Sequence, residues 1–190
     1  MKIVLRIFGV LLLLVLVVAG AAAAVVALNL RTYSRLTYEQ PVATIEFQNV
    51  GPQRWKATVT RLQTNQSHPS DLSGDEWQVD ARVLKWHGFA NVLGLDAQYR
   101  LERLSGRFHD IEQERAAPHS VYPLHEEATL DFWSLASAHP NWIPWVDGFY
   151  GSATYLPMAQ DARFEVSLTQ DGLIARADNE AARAVSHGWR

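Results

Sequence analysis

Cysteine is absent from the 190 residues. No disulfide can staple the fold, so the chain must stand on its hydrophobic core alone. Lysine is scarce, with only Lys2, Lys56 and Lys85 among 17 basic residues. The short motifs that carry chemistry are missing as well. There is no H-E-x-x-H and no cysteine–histidine zinc spacing, so no metal site is expected. There is no G-x-S-x-G elbow to present a serine nucleophile. Neither G-x-x-x-x-G-K-[ST] nor G-x-G-x-x-G occurs, so nucleotide binding has no support. The expectation is a protein that is not an enzyme and uses no cofactor.

What the chain does have is a long apolar start. Ile7 to Leu28 contains no charged or strongly polar side chain. At about 1.5 Å per residue, a helix of that length reaches roughly 33 Å, enough to cross a hydrocarbon core of about 30 Å. Two readings compete. In one, Lys2 and Arg6 head a signal peptide cut at a small-residue site such as Ala19-Gly20-Ala21. In the other, the segment stays as an anchor. The run outlasts the roughly 7–15 residues of a signal-peptide core, which favours the anchor. Both readings export the C-terminal domain. The expected location is therefore the inner membrane, single-pass through residues 7–28, with that domain in the periplasm, or soluble in the periplasm after cleavage. The basic residues flanking the span, Lys2 and Arg6 before it and Arg31 and Arg35 after it, set only a weak orientation bias, and the runner-up is a cytoplasmic domain.

Residues 1–35 thus form an anchor or signal peptide, and residues 36–190 a single exported domain. Four of the 17 basic residues and none of the 20 acidic ones precede residue 36, which leaves 13 basic against 20 acidic in the domain. A net charge of −7 argues against a nucleic-acid surface and against electrostatic docking on anionic lipid. All seven tryptophans lie in it (Trp55, Trp77, Trp86, Trp133, Trp142, Trp145 and Trp189), which suits a sheet protein.

Period-two alternation recurs along the domain. Trp77, Val79, Ala81 and Val83 share one face of a strand, with Gln78, Asp80 and Arg82 on the other. Residues 41–48 and 54–62 alternate around Asn49-Val-Gly51-Pro52 and read as a hairpin. Phe164, Val166 and Leu168 precede Asp171-Gly172 and a returning strand, a pairing expected to use a type I′ turn. Ala97, Tyr99 and Leu101 start a strand whose phase slips to Leu104, Gly106 and Phe108, as one extra residue near Arg103 would make it do. Pro157 confines the strand at 152–158 to an edge or an end. Gln63 to Gly74 reads as a surface loop, Glu126 to Ala138 as the one helix, and the tail from Ala177 as frayed. The fold expected is mainly β: an N-terminal transmembrane helix, then an antiparallel β-sandwich or partial barrel with one helix.

Two aromatic-rich segments are the candidate binding surface. In His139 to Leu156, Trp142, Trp145, Phe149 and Tyr150 crowd among Pro140, Pro144, Gly148 and Gly151. In Trp86 to Leu95, Trp86 and Phe89 sit beside Gly88 and Gly94. Rigid aromatic surface of this kind lines apolar pockets, enters membrane interfaces or forms partner hot spots. The alternative is a lid folded onto the core. His109, Asp110, Glu112 and Glu114, and His125 with Glu126 and Glu127, are the nearest approach to a catalytic or metal cluster; a solvated helix start explains the second group as well.

Gly74-Asp-Glu-Trp-Gln-Val-Asp-Ala-Arg-Val-Leu-Lys-Trp-His-Gly88, with Leu95 to Arg107 and Tyr150-Gly-Ser-Ala-Thr-Tyr-Leu-Pro-Met158, resembles a family of small proteobacterial single-pass envelope proteins. These often carry the automatic label "cation/multidrug efflux pump" or "multidrug transporter". The resemblance implies an accessory subunit at most. One apolar segment without ionisable residues makes no alternating-access pathway. An uncleaved anchor predicts that the membrane-extracted protein has the intact mass of all 190 residues; a mass short of residues 1–21 would show a signal peptide instead.

Overall fold

A computed structural model describes residues 2–36, 39–86, 98–125, 146–169 and 171–188, the backbone alone at 2–5, 7, 28–36, 85, 86 and 146–150. The chain divides into two units, Met1–Tyr38 and Glu39–Arg190. The first is helix α1, Lys2–Leu36. Its stretch Phe8–Ala27 is long and apolar enough to cross a membrane, and none of it is buried by the rest of the chain. A signal sequence meets the same description, so the helix could be a signal anchor or a signal sequence.

The second unit is mainly β. Its strands are β1 (Gln40–Gly51), β2 (Arg54–Arg61), β3 (Gln66–Ser73), β4 (Glu76–Trp86), β5 (Gln98–Arg107), β6 (Val121–Pro123), β7 (Val146–Pro157), β8 (Arg163–Thr169) and β9 (Gly172–Ala177). They build a five-stranded sheet, β3-β2-β1-β8-β9, and a four-stranded sheet, β6-β5-β4-β7. Every ladder is antiparallel. Two short helices are described, α2 (Ile111–Ala116) and α3 (Glu180–His187).

The alternating residues do what period two requires. Trp77, Val79, Ala81 and Val83 of β4 and Ile45, Phe47, Val59, Phe164 and Val166 of the other sheet are all at most 2 % exposed. At the centre Trp77 meets Phe47 and Phe164 with ring centroids 5.9 and 5.4 Å away, and those two rings are 6.1 Å apart, edge to face. The phase slip in β5 is a β-bulge. Asp80 and Ala81 of β4 face Arg103 and Leu101, so Glu102 is the extra residue. The bulge lets Tyr99 and Leu101 before it and Leu104 after it all turn inward.

Four local expectations change. Residues 66–73 are a strand, not a loop: Ser70 and Leu72 are buried on one face while Pro69 and Asp71 are exposed on the other. The polar composition and Pro69 suit an edge strand, which is where β3 lies. The tail is helix α3, because Asn179 caps it. Its Oδ1 accepts from Ala182 N (3.0 Å) and Arg163 N (3.1 Å), and its Nδ2 donates to the Asp161 carbonyl (2.6 Å). The β8–β9 turn is not type I′ about Asp171-Gly172. Gly172 is already paired with Thr169, and Asp171 lacks a positive φ. Asp171 N–H instead donates to Thr169 Oγ1 (3.1 Å), a threonine turn. Finally, β7 begins at Val146, earlier than expected, on the sheet edge that Pro157 requires. The helix expected over 126–138 lies outside the described residues.

Both sheets converge where β3 turns into β4. Asp75 is the junction: its N–H donates to Arg107 O (2.8 Å) and its carbonyl accepts from Met158 N (2.9 Å). Its carboxylate accepts from Gln53 Nε2 (2.9 Å) and His109 N (3.1 Å). The backbones approach so closely that a Cβ on Gly74 would lie 2.2 Å from Arg107 O, and one on Gly106 2.2 Å from Ser73 O. Backbone atoms cannot yield as side chains do. Gly106→Ala should therefore cost at least about 2 kcal/mol, the scale of overpacking against fixed neighbours. Thermal unfolding of the full-length protein followed by tryptophan fluorescence would measure it.

Candidate functional site

The strand registers give the domain two distinct ends. The turn end carries Gly51, Arg54, Ser73, Glu76, Arg107 and Pro157. The opposite end carries Gln40, Arg61, Gln66 and Thr169 in one sheet and Trp86, Gln98 and Val146 in the other. The chain arrives from α1 at this second end, through Glu39 and Gln40. It is the entry end.

Both aromatic-rich segments meet the described sheet at the entry end. The first leaves β4 at Trp86 and rejoins at Gln98. The second, His139 to Leu156, enters strand β7 at Val146 on the entry end and runs along that strand to Leu156. His125 is held here because Leu124 N and His125 Nδ1 both donate to the carbonyl of the bulged Glu102 (3.0 and 3.1 Å). In the ladder Val83 pairs with Tyr150, Leu84 with Phe149 and Trp86 with Val146. Trp86, Phe149 and Tyr150 therefore belong to neighbouring positions of one antiparallel pair, with their side chains outside the described set. Phe89, Trp142 and Trp145 lie outside the described residues altogether. Leu84 is on the outward face with Gln78, Asp80 and Arg82, yet it is 2 % exposed.

The histidine groups do not meet. His109 is exposed at the turn end, its Nδ1 3.7 Å from the Glu76 carboxylate. Asp110 caps α2 by accepting from Gln113 N (2.8 Å), and Glu114 accepts from Phe108 N (2.7 Å). His125 is at the entry end. Among the described residues no group of three histidine, aspartate or glutamate side chains is placed to hold a metal ion.

One feature that sequence reading missed is a recess between the sheets at the entry end. Val42, Tyr99, Leu101 and Leu124 wall it, and Arg61, Arg100, Gln63, Thr64 and His125 complete its lining. Its volume is about 140 Å³. Arg61 is fixed across the mouth: Nη1 donates to Leu124 O (3.3 Å), and Nη2 lies 2.5 Å from Gln66 Oε1 and 2.8 Å from His68 Nε2. Burial pushes the Tyr99 phenol pKa up. The residues are distant in sequence, so only the bulge and the sheet packing assemble them.

The chain's point of entry is itself clamped. Arg176 of β9 grips Glu39 through Nη2–Oε1 (2.5 Å) and Nε–Oε2 (2.8 Å). That pair holds the Glu39 carboxyl below its ordinary range and raises Arg176. Compared with family models, curated proteins and solved structures, the chain matches none. The class that the geometry defines is an N-terminal apolar helix followed by a domain of two antiparallel sheets.

A glutamate whose folded pKa is depressed stabilises the fold above its unfolded pKa, and that contribution is lost as pH falls through the folded value. Glu39→Gln should therefore speed hydrogen exchange in β9 at about pH 7. The difference from wild type should close as pH drops through the carboxylate range, about 4 and below.

Proposed function

We propose that this protein is a single-pass membrane protein of the cell envelope whose β domain, held in the periplasm, binds a partner protein or an apolar ligand and catalyses no reaction. The observation that carries the reading is the convergence on the entry end. Two segments rich in tryptophan and phenylalanine join the sheet β4–β7 at the end at which β1 begins. Aromatic side chains give large contact area at small entropic cost, which is why they dominate binding hot spots. Trp142, Trp145, Phe149, Tyr150, Trp86 and Phe89 are the residues proposed to form the surface.

The apolar face of α1 supports the tether. Phe8 to Val26 present leucine, valine and phenylalanine side chains between 52 and 67 % exposed, a surface that water does not solvate favourably. A carrier of lipid or another hydrophobic molecule is the second reading; the recess at the entry end, at about 140 Å³, has room for only part of such a molecule. Within an efflux system the same architecture fits an accessory subunit, since one span supplies an anchor and no pathway.

Native mass spectrometry of the full-length protein gently extracted from its own membrane tests the reading. A co-eluting protein or a bound apolar molecule is expected. Replacing both Trp142 and Trp145 by alanine should weaken that association by more than about thirtyfold, the scale of hot-spot loss, while the unfolding temperature stays unchanged. A double variant that unfolds would instead make the segment a buried lid, and a bare polypeptide would count against binding.

A further inference from the structure

The outward face of the four-stranded sheet carries a trough of about 450 Å³. Asp80, Arg82, Glu102 and Arg103 line one side of it, Gly151 and Ala153 the other. Ser152 turns the opposite way, its Oγ accepting from Leu173 N–H (2.9 Å), so the floor along β7 has no side chain larger than a methyl group. The backbone does not demand the glycine. Gly151 sits inside a 12-residue strand opposite Arg82, and its φ is not positive. A Cβ there would meet nothing within 4 Å. Glycine inside a strand weakens it, and it marks places where a ligand or another backbone comes close.

The charged side is made by the bulge. Between the buried Leu101 and Leu104, two successive residues, Glu102 and Arg103, face outward, which a regular strand does not allow. They stand beside Asp80 and Arg82, which share the outward face of β4. Arg103 pairs with Asp80, and Arg82 with Glu102 (Nε–Oε1 3.4 Å). Gln78 Nε2 donates to Asp80 Oδ1 (2.7 Å), and Arg100 Nε reaches Glu102 Oε1 (2.7 Å) from outside the trough. The lining is therefore a square of alternating charges that sum to zero, each oriented by its neighbours. Exposed ion pairs add little to stability, so the fold gains little from placing four of these side chains together.

Such a trough selects its occupant. A net charge finds no surplus counter-charge in the lining. Carboxylates accept and guanidinium groups donate, both in pairs, so groups that do both are favoured, and a hydroxyl is one. A hydrocarbon chain would take four charges out of water and return no hydrogen bond. An extended peptide finds no ladder here, because the backbone of β4 is spent on β5 and β7. A flat ring edged with hydroxyls satisfies every side. On the scale of about 150 Å³ for a cavity that holds benzene, the volume takes about two or three six-membered rings.

We infer that the trough binds a neutral saccharide, its hydroxyls bridging the Arg82–Glu102 and Arg103–Asp80 pairs and one ring face lying on Gly151 and Ala153. The inference does not rest on the function proposed above and uses none of the six aromatic residues named there.

The test uses the full chain in nanodiscs of zwitterionic lipid, with empty nanodiscs as the blank. Glucose, galactose and N-acetylglucosamine are the neutral probes; glucuronate and glucosamine keep one ring and add a charge of either sign. Saturation-transfer NMR of each sugar reads binding. At least one neutral probe should saturate, and both charged probes should bind more weakly than it does. Gly151→Val fills the trough from a position where its side chain meets open space, and valine suits a strand. The unfolding temperature should hold or rise while saccharide binding falls at least about tenfold. Arg103→Gln keeps a donor and removes the charged fork, and should also weaken binding by about tenfold; it reads the same contact if the valine is not tolerated. Binding that survives both variants, a charged probe bound more tightly than every neutral one, or no saturable neutral probe overturns the inference. Replacing Trp142 and Trp145 by alanine should leave the sugar bound, so loss of partner capture in that variant and loss of sugar in Gly151→Val are separate results.

Discussion

The contact of Trp77 with Phe47 and Phe164 is what the rest of the domain depends on. Without cysteine, two sheets of five and four strands are held together chiefly by what they bury between them. Three large rings supply the largest single block of that surface, each of the order of 150–250 Å². Among the described residues the Trp77 indole N–H has no hydrogen-bond partner, and an unpaired buried donor costs about 1–3 kcal/mol. The rings also fix which face of β4 points inward, and a one-residue slip would turn Gln78, Asp80 and Arg82 into the core.

That constraint has different consequences at the two ends. At the turn end the chain is drawn tight: Gly74 and Gly106 let backbones touch, Asp75 gathers four hydrogen bonds, and Trp55 Nε1 donates to Gly74 O (3.0 Å). Ser120 and Tyr122 sew β3 to the other sheet through Ser73 N–H (2.9 Å) and Asp71 O (2.9 Å). At the entry end the sheets are joined by longer side chains, Arg61 reaching Leu124 O, and a space remains between them. A sandwich closed by backbone at one end and by side chains at the other keeps a space between its sheets at the second. The bulge at Glu102 contributes directly, since its displaced carbonyl holds Leu124 and His125 in the wall of that space.

The candidate surface is legible in the sequence as composition and not as geometry. Trp142, Trp145, Phe149 and Tyr150 stand out because aromatic residues among prolines and glycines are unusual, but spacing along a chain does not say which end of a sandwich they occupy. The strand register settles that for the flanking residues by pairing Leu84 with Phe149 and Val83 with Tyr150. The recess had no signal at all. Val42, Arg61, Tyr99 and Leu124 come from four separate segments, and each by itself is an ordinary strand or loop residue. The histidine and carboxylate groups show the converse: adjacency in sequence at His109-Asp110 suggested chemistry, and the structure spends Asp110 on a helix cap.

Where one face of a strand is buried, period two is a local property, so the sequence by itself determined β1, β2, β4, β5 and β8, the hairpin between β1 and β2, and even the bulge, which must appear as a slip of phase. The apolar helix was equally local, because length and hydropathy need no partner. Strand β3 and helix α3 were decided by the tertiary structure. Gln66 to Ser73 is polar and carries a proline, and it is a strand only because β2 offers it an edge; Glu180 to His187 is ordered because Asn179 bonds to both Arg163 and Asp161 of a distant strand and turn. The same holds for the closed turn end and the recess. Contacts between residues far apart in the chain come from packing, and packing is written in no single stretch of sequence.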